Sequence, residues 1–155
     1  MSTIGFDTSN YTTSTAWTDG KTDINVRQIL YVKDGERGIR QSDGVFQHMK
    51  LMPVMYENLS EQIDFKDVKA VGVSTRPRCV EGSYMPVFLA GEGYAKVVAN
   101  TLGVPLYEFS HQDGHIMAGI YSSGSFELLE KDFISVHLSG GTTEILKSRY
   151  NGFRQ

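Results

Sequence analysis

Two histidines four residues apart carry the most specific chemistry in the sequence. His111 and His115 stand in Ser110-His-Gln-Asp-Gly-His115. In a helix, residues at i and i+4 share one face, with Cβ atoms about 6 Å apart. Two imidazoles so placed can share one divalent metal, as in the helical His-Glu-x-x-His motif. The same spacing suits a pair of capping or partly buried histidines with no metal, and spacing alone leaves both readings open. Gly114 leans toward the metal, because a glycine inside a helix costs about 1 kcal/mol relative to alanine and so points to a close approach to the backbone. Asp113 would point away from the face the histidines share, which makes it a poor general base for peptide hydrolysis.

Other candidates are less specific. Asp7 ends an apolar strand, where its carboxylate can accept from the turn amides that follow it. Thr8 and Ser9 read as turn formers. Arg76 and Arg78 flank Pro77 and suit either an anion or a solvated surface. His137 alternates with Val136 and Leu138 and reads as a surface histidine. His48 lies among Met49, Met52 and Met55, which read as core filler at helical spacing, so packing is its expected role. Cys79 reads as an ordinary loop cysteine.

The elements that must hold these residues follow from punctuation and period. Residues 2–8 and 11–18 read as strands, and Asp19-Gly20 as a hairpin turn into a third strand over 24–32. Apolar positions from Val45 to Leu59 fit one face of a helix over 43–62, with Pro53 expected to interrupt or kink it. Val68 to Ser74 reads as a buried strand. Tyr84 to Leu102 reads as a second helix with Ala90, Tyr94, Val97 and Val98 as its buried stripe, stopped by Gly103. Val104 to Phe109 is a fifth strand, and Ser110 is placed to N-cap the helix that carries the two histidines. Strands at 133–138 and 142–148 enclose the turn Ser139-Gly-Gly141. The order βββαβαβα predicts an α/β lobe over 1–128, and 129–155 reads as a separate opening hairpin.

Composition sets the class. The chain has 155 residues, 40% hydrophobic and 21% charged, with a formal net charge of −3. No global basic field argues for nucleic acid. One cysteine forbids an internal disulfide, which suits a reducing, cytoplasmic setting. No secretory signal opens the sequence, and no apolar run approaches the ~20 residues of a membrane helix, so no membrane partner is expected.

The segment Ile4-Gly-Phe-Asp-Thr-Ser-Asn-Tyr-Thr-Thr is echoed by Val136-His-Leu-Ser-Gly-Gly-Thr-Thr-Glu-Ile, and such repetition marks duplicated architecture. The second copy stops after its hairpin, which alone is marginally stable in water. The sequence is therefore expected to be cut short or to borrow a partner. With these residues in view, the whole chain resembles the first half of the tRNA threonylcarbamoyladenosine transferase family, also known as the O-sialoglycoprotein endopeptidase or glycoprotease family. Ile4 to Ser9 matches the family's first phosphate-loop hairpin, and Val71-Gly-Val-Ser-Thr-Arg-Pro77 its loop after the fourth strand. Gly91-Glu-Gly-Tyr-Ala-Lys96 matches its second helix, and Val104-Pro105 the exit from it. His111-Gln-Asp-Gly-His115 matches its metal motif His-x-Glu-Gly-His, and Leu138-Ser-Gly-Gly-Thr-Thr143 its Ser-Gly-Gly-His-Thr loop.

The resemblance implies a ribonuclease H-like, actin-like ATPase lobe, shared with sugar kinases and heat-shock chaperones: a mixed five-stranded sheet with flanking helices, followed by the opening hairpin of a second lobe. It implies a zinc or iron ion on His111 and His115, with a third ligand from that second lobe. It implies ATP or threonylcarbamoyl-adenylate near Asp7, Ser9, Ser139, Gly140, Gly141 and Thr142, and tRNA as acceptor. The family's Cys-Asp-Glu-Thr is here Asn10-Tyr-Thr-Thr13, its Gly-Pro-Gly is Arg76-Pro77-Arg78, its motif glutamate is Asp113, and its loop histidine is Thr142. These departures suggest a divergent paralogue. Three readings follow: an active transferase, a non-catalytic scaffold that forms a homo-oligomer or pairs with a related family member, and the metallopeptidase of the older family label.

Overall fold

The computed structural model describes residues 1–138 and 143–150. The chain divides into two compact units, Met1–His111 and Gln112–Gln155. This division groups the histidine helix largely with the hairpin, whereas the sequence reading attaches it to the first lobe.

In the first unit, β1 (Ser2–Ser9), β2 (Thr12–Thr18) and β3 (Asp23–Ile29) form an antiparallel meander. The Asp19-Gly20 turn between β2 and β3 closes as expected. Asp19 Oδ1 accepts from the amides of Lys21 and Thr22 at 2.8 and 2.7 Å, and Gly20 takes φ 85°. After α1 (Gln41–Ser60) and a short 3-10 turn (Phe65–Asp67), β4 (Val68–Arg76) pairs parallel to β1. Then α2 (Phe88–Leu102) leads to β5 (Leu106–Ser110), parallel to β4. The sheet order is β3-β2-β1-β4-β5, the mixed five-stranded sheet that the family resemblance implies.

The alternation of β1 buries Ser2, Ile4, Phe6 and Thr8. Ile4, Phe6, Val71 and Val73 join Met52 and Leu59 of α1 and Ala95 and Ala99 of α2 in one core. Small residues let α2 approach the sheet. A Cβ on Gly91 would stand 2.8 Å from Thr8 Oγ1. That oxygen donates to Val87 O (2.9 Å) and accepts from Gly91 N (3.0 Å). Thr8 is thus a buried anchor for the start of α2 and not a turn former.

Pro53 does not break α1, which runs through it. Proline removes the donor that would reach the carbonyl four residues back, here Met49 O. The Tyr94 hydroxyl of α2 donates to that carbonyl at 3.0 Å, so the orphaned acceptor is satisfied. Other expectations shift. The second helix starts at Phe88, since Tyr84 to Val87 lie outside it, and the third strand ends at Ile29. Met49 and Val97 are exposed. The buried face of α2 is made largely by Ala and Gly because closeness, not bulk, is what that contact needs.

The second unit contains most of α3 (His111–Ser123), a 3-10 segment (Phe126–Glu130), and the antiparallel pair β6 (Phe133–Leu138) and β7 (Thr143–Ser148). Its alternation runs opposite to expectation. Ile134, Val136, Leu138 and Ile145 are 60–74% exposed, while His137 and Glu144 are half-buried. His137 is therefore no free surface residue. A two-residue period sets neighbours on opposite faces but does not say which face is covered. Among the described residues no helix is long and apolar enough to cross a membrane.

Candidate active site

Parallel strands β1, β4 and β5 end at the same edge of the sheet, and that edge collects the polar side chains. In open α/β sheets this carboxyl edge is where ligands bind. Asp7 sits near the end of β1. His111, which follows β5 directly and opens α3, places Nδ1 2.7 Å from Asp7 Oδ2. Ser9, the last residue of β1, donates its amide to Asp7 Oδ1 at 2.9 Å. Ser74 of β4 adds a side-chain hydrogen bond to the same carboxylate. Burial pushes the Asp7 carboxyl up. The hydrogen bond and charge of His111, with Ser74 and the Ser9 amide, outweigh it and hold Asp7 below its ordinary value. Asp7 therefore meets His111 as a carboxylate over the whole neutral range.

Behind this edge the core turns polar. His48 of α1 is fully buried, with Nδ1 2.7 Å from Thr13 Oγ1. Thr13 lies opposite Thr8 in the β1–β2 register. Burial lowers the His48 pKa, although the Asp7 charge opposes that shift. His48 thus does more than pack: it is a neutral imidazole held in a hydroxyl-lined layer behind the carboxylate.

Arg76 ends β4, opposite Ser110 in register, and donates from Nη1 to Thr75 Oγ1 at 3.2 Å. Arg78 lies in the next turn, where its amide donates to Ser83 Oγ at 3.0 Å. The structure thus brings Asp7, Ser9 and His111 together, with Arg76 at the same sheet edge. Ser139, Gly140, Gly141 and Thr142 lie outside the described residues.

His111 and His115 both lie on α3, one turn apart. His111 is half-buried and His115 exposed. An imidazole held through Nδ1 by a carboxylate has its tautomer and ring orientation set, with Nε2 as the ligand atom, which is the usual outer-shell arrangement of metal-binding histidines. The donor chemistry at His111 fits a divalent metal in that respect. Among the described residues no three His, Cys, Asp or Glu side chains gather into a metal-holding cluster. The described donors therefore amount to two imidazoles.

In the second unit, Gln112, His137 and Glu144 form a separate polar cluster. Gln112 Nε2 donates to Glu144 Oε2 at 2.7 Å and lies 3.3 Å from His137 Nδ1. His137 Nδ1 is 3.7 Å from Glu144 Oε2, and its ring centroid is 5.4 Å from that of His115. Sequence reasoning does not single out Ser74, Gln112 or Glu144. A signal for Glu144 exists: it is the only acid in β7, directly opposite His137.

A family model described as TsaD, tRNA N6-adenosine threonylcarbamoyltransferase, matches residues 37–155. Relatives named tRNA N6-adenosine threonylcarbamoyltransferase include one from Christiangramia forsetii, 33% identical over 98 residues. That match spans 63% of this chain and 27% of the relative. One from Pyrobaculum calidifontis is 28% identical over 144 residues, 92% of this chain and 40% of the relative. The matched stretch is thus well under half the length of these relatives. Among solved structures, YeaZ from Pseudomonas aeruginosa superposes with a TM-score of 0.55 at 13% identity, covering 95% of this chain and 65% of that one. That likeness bears on the fold alone, and the fold is the ribonuclease H-like, actin-like α/β lobe expected from the sequence.

Proposed function

The chain belongs to the tRNA N6-adenosine threonylcarbamoyltransferase family, and from that premise we propose that it serves threonylcarbamoylation of a tRNA adenosine, with His111 and His115 as ligands to a divalent zinc or iron ion. The observation that carries this reading is the 2.7 Å contact between Asp7 and His111. It joins residues 104 positions apart at the carboxyl edge of the parallel strands and orients the first imidazole of the pair. Asp7 stays ionised and fixes the ring. Ser9 and Ser74 hold the carboxylate in turn. When bound, the metal supplies Lewis-acid polarisation of the acyl donor, ATP-derived threonylcarbamoyl-adenylate. The chain's own contribution to anion binding is the sequence Ser139-Gly140-Gly141-Thr142, since glycine amides can come close to phosphate, together with Arg76 and Arg78.

A second reading is favoured by the sequence: Asn10-Tyr-Thr-Thr13 stands where the family carries Cys-Asp-Glu-Thr, and Thr142 where it carries histidine. On that reading the chain is a non-catalytic relative that pairs with an active member. One experiment separates the two. Zinc and iron are measured in the purified full-length protein and in its His111→Ala and His115→Ala forms. The transferase reading expects stoichiometric metal that each substitution abolishes. A metal content that neither substitution changes overturns it.

A further inference from the structure

We propose that Gln112 is a positioning residue, whose amide ties His137 to Glu144 and, through the His137 ring, sets the orientation of the His115 imidazole. The inference rests on the metal reading above for what His115 does, but its geometry does not. All four residues belong to the second unit.

The chemistry of the partners fixes the arrangement. An ionised Glu144 only accepts hydrogen bonds, so the Gln112 amide must turn its nitrogen, not its oxygen, toward it. The NH₂ group carries two hydrogens. One goes to Glu144 Oε2 at 2.7 Å. The other is left for His137 Nδ1, 3.3 Å away, as a longer, bent bond. His137 Nδ1 must then accept, which puts the ring proton on Nε2. His137 and Glu144 face each other directly across the β6–β7 register, so one amide spans a cross-strand pair. Gln112 is only 8% exposed, and a buried amide commits to its partners because water cannot replace them.

His137 then acts on His115. The ring centroids are 5.4 Å apart and the planes are inclined by 33°, an offset aromatic contact. A ring fixed in tautomer and rotation leaves its neighbour fewer orientations. This is a weaker form of the service given by a group hydrogen-bonded to a metal ligand, whose loss typically costs about 10–100-fold in metal affinity. Glu144 belongs to β7, so the same amide links the start of α3 to both strands of the hairpin.

The test uses purified full-length protein and two readouts: zinc affinity by calorimetry, and the tautomer of His137 with the ring environment of His115 by long-range ¹H–¹⁵N NMR. In the wild type His137 is expected to carry its proton on Nε2. Gln112→Met should remove that preference, shift His115, and weaken zinc binding by up to about 10-fold. Gln112→Glu should do the same by setting carboxylate against carboxylate. The double variant Gln112→Glu/Glu144→Gln sets a carboxylate between an amide and His137 Nδ1, which must then donate, so the ring should be held as the Nδ1–H tautomer, opposite to the wild type. Unchanged affinity and tautomer in Gln112→Met, or a folded double variant that keeps the wild-type Nε2–H tautomer, overturns the proposal. If the wild type binds no zinc, the metal reading fails; His137 and His115 signals that still respond to Gln112 then uphold the positioning role, and signals that do not respond overturn it.

Discussion

The five-stranded sheet and the β6–β7 pair follow the same alternating pattern and use it in opposite ways. In β1 the apolar side chains Ile4 and Phe6 are buried at 1% and 3% exposure. In β6 and β7 most apolar residues face outward, and the half-buried face carries Ser135, His137, Glu144 and Ser148 beside Phe133 and Leu146. The polar members of that face are bonded to one another or to α3: Ser135 Oγ and Ser148 Oγ are 2.7 Å apart, and Gln112 bridges Glu144 and His137. Alternation therefore reports a strand. What covers each face is decided by the partners available to it.

The sharpest way to break this contrast is to delete apolar groups on both sides of it. Leu59 is fully buried in the first unit's core. Leu59→Ala should cost about 2–5 kcal/mol, from lost transfer free energy and the cavity left behind. Chemical denaturation followed by circular dichroism measures this. A cost under about 1 kcal/mol would mean that the core closes over the gap and is not the tightly packed side of the comparison.

Gly91→Ala should come next, at about 1–3 kcal/mol. The added methyl meets Thr8 Oγ1 at 2.8 Å and Thr8 Cγ2 at 3.2 Å. Neither atom is the end of a flexible chain, and Thr8 is held by two hydrogen bonds. Pairing it with Thr8→Ser sharpens the prediction: removing the methyl should recover part of the loss while keeping the hydroxyl that anchors α2.

Much of this architecture is legible in the sequence, and the gaps have physical reasons. The strands and their turns can be read because Asp19-Gly20 and Gly103-Val-Pro105 punctuate runs of β-branched and apolar residues. The expected helical pair His111 and His115 does lie on one helix. The face of α2 is not legible, because buried Ala95 and Ala99 look less apolar than exposed Val97. The Asp7–His111 contact is not legible either. It exists only because β1, β4 and β5 run parallel and end together, which no local pattern states. Gln112 escapes notice as the variable residue inside a motif, since its partners lie 25 and 32 positions away.

Titration probes the polar end of the first unit with smaller effects. Burial lowers the His48 pKa, while the unfolded chain has an ordinary value of about 6.5. The unfolded state therefore binds the proton first. The stability contributed by neutral His48 is present above about pH 6.5 and is lost as pH falls through the lower folded value. Asp7 is also lowered, from an ordinary value of about 3.9. Its contribution is present above about pH 4 and is lost only below that. Urea midpoints measured between about pH 3 and 8 should show both segments. His48→Gln should flatten the upper one and Asp7→Asn the lower one. A wild-type profile that is flat between about pH 6.5 and 5 would contradict the neutral, buried imidazole.

The smallest effect is expected on the outward apolar face of the hairpin. Val136 and Ile145 are directly opposite each other and 60% and 74% exposed. Because most of each side chain is already in water, Val136→Thr and Ile145→Thr should each change stability by no more than about 0.5 kcal/mol. Threonine keeps the β-branch, so strand preference is largely preserved while exposed hydrocarbon is exchanged for a hydroxyl. The outcome is informative because it is small. If either substitution cost as much as Leu59→Ala, that face would have to be covered in solution, and the contrast between the two sheets would vanish. A null effect beside a large loss at Leu59 would show that the hairpin is held by its other side, through Gln112 and the serine pair.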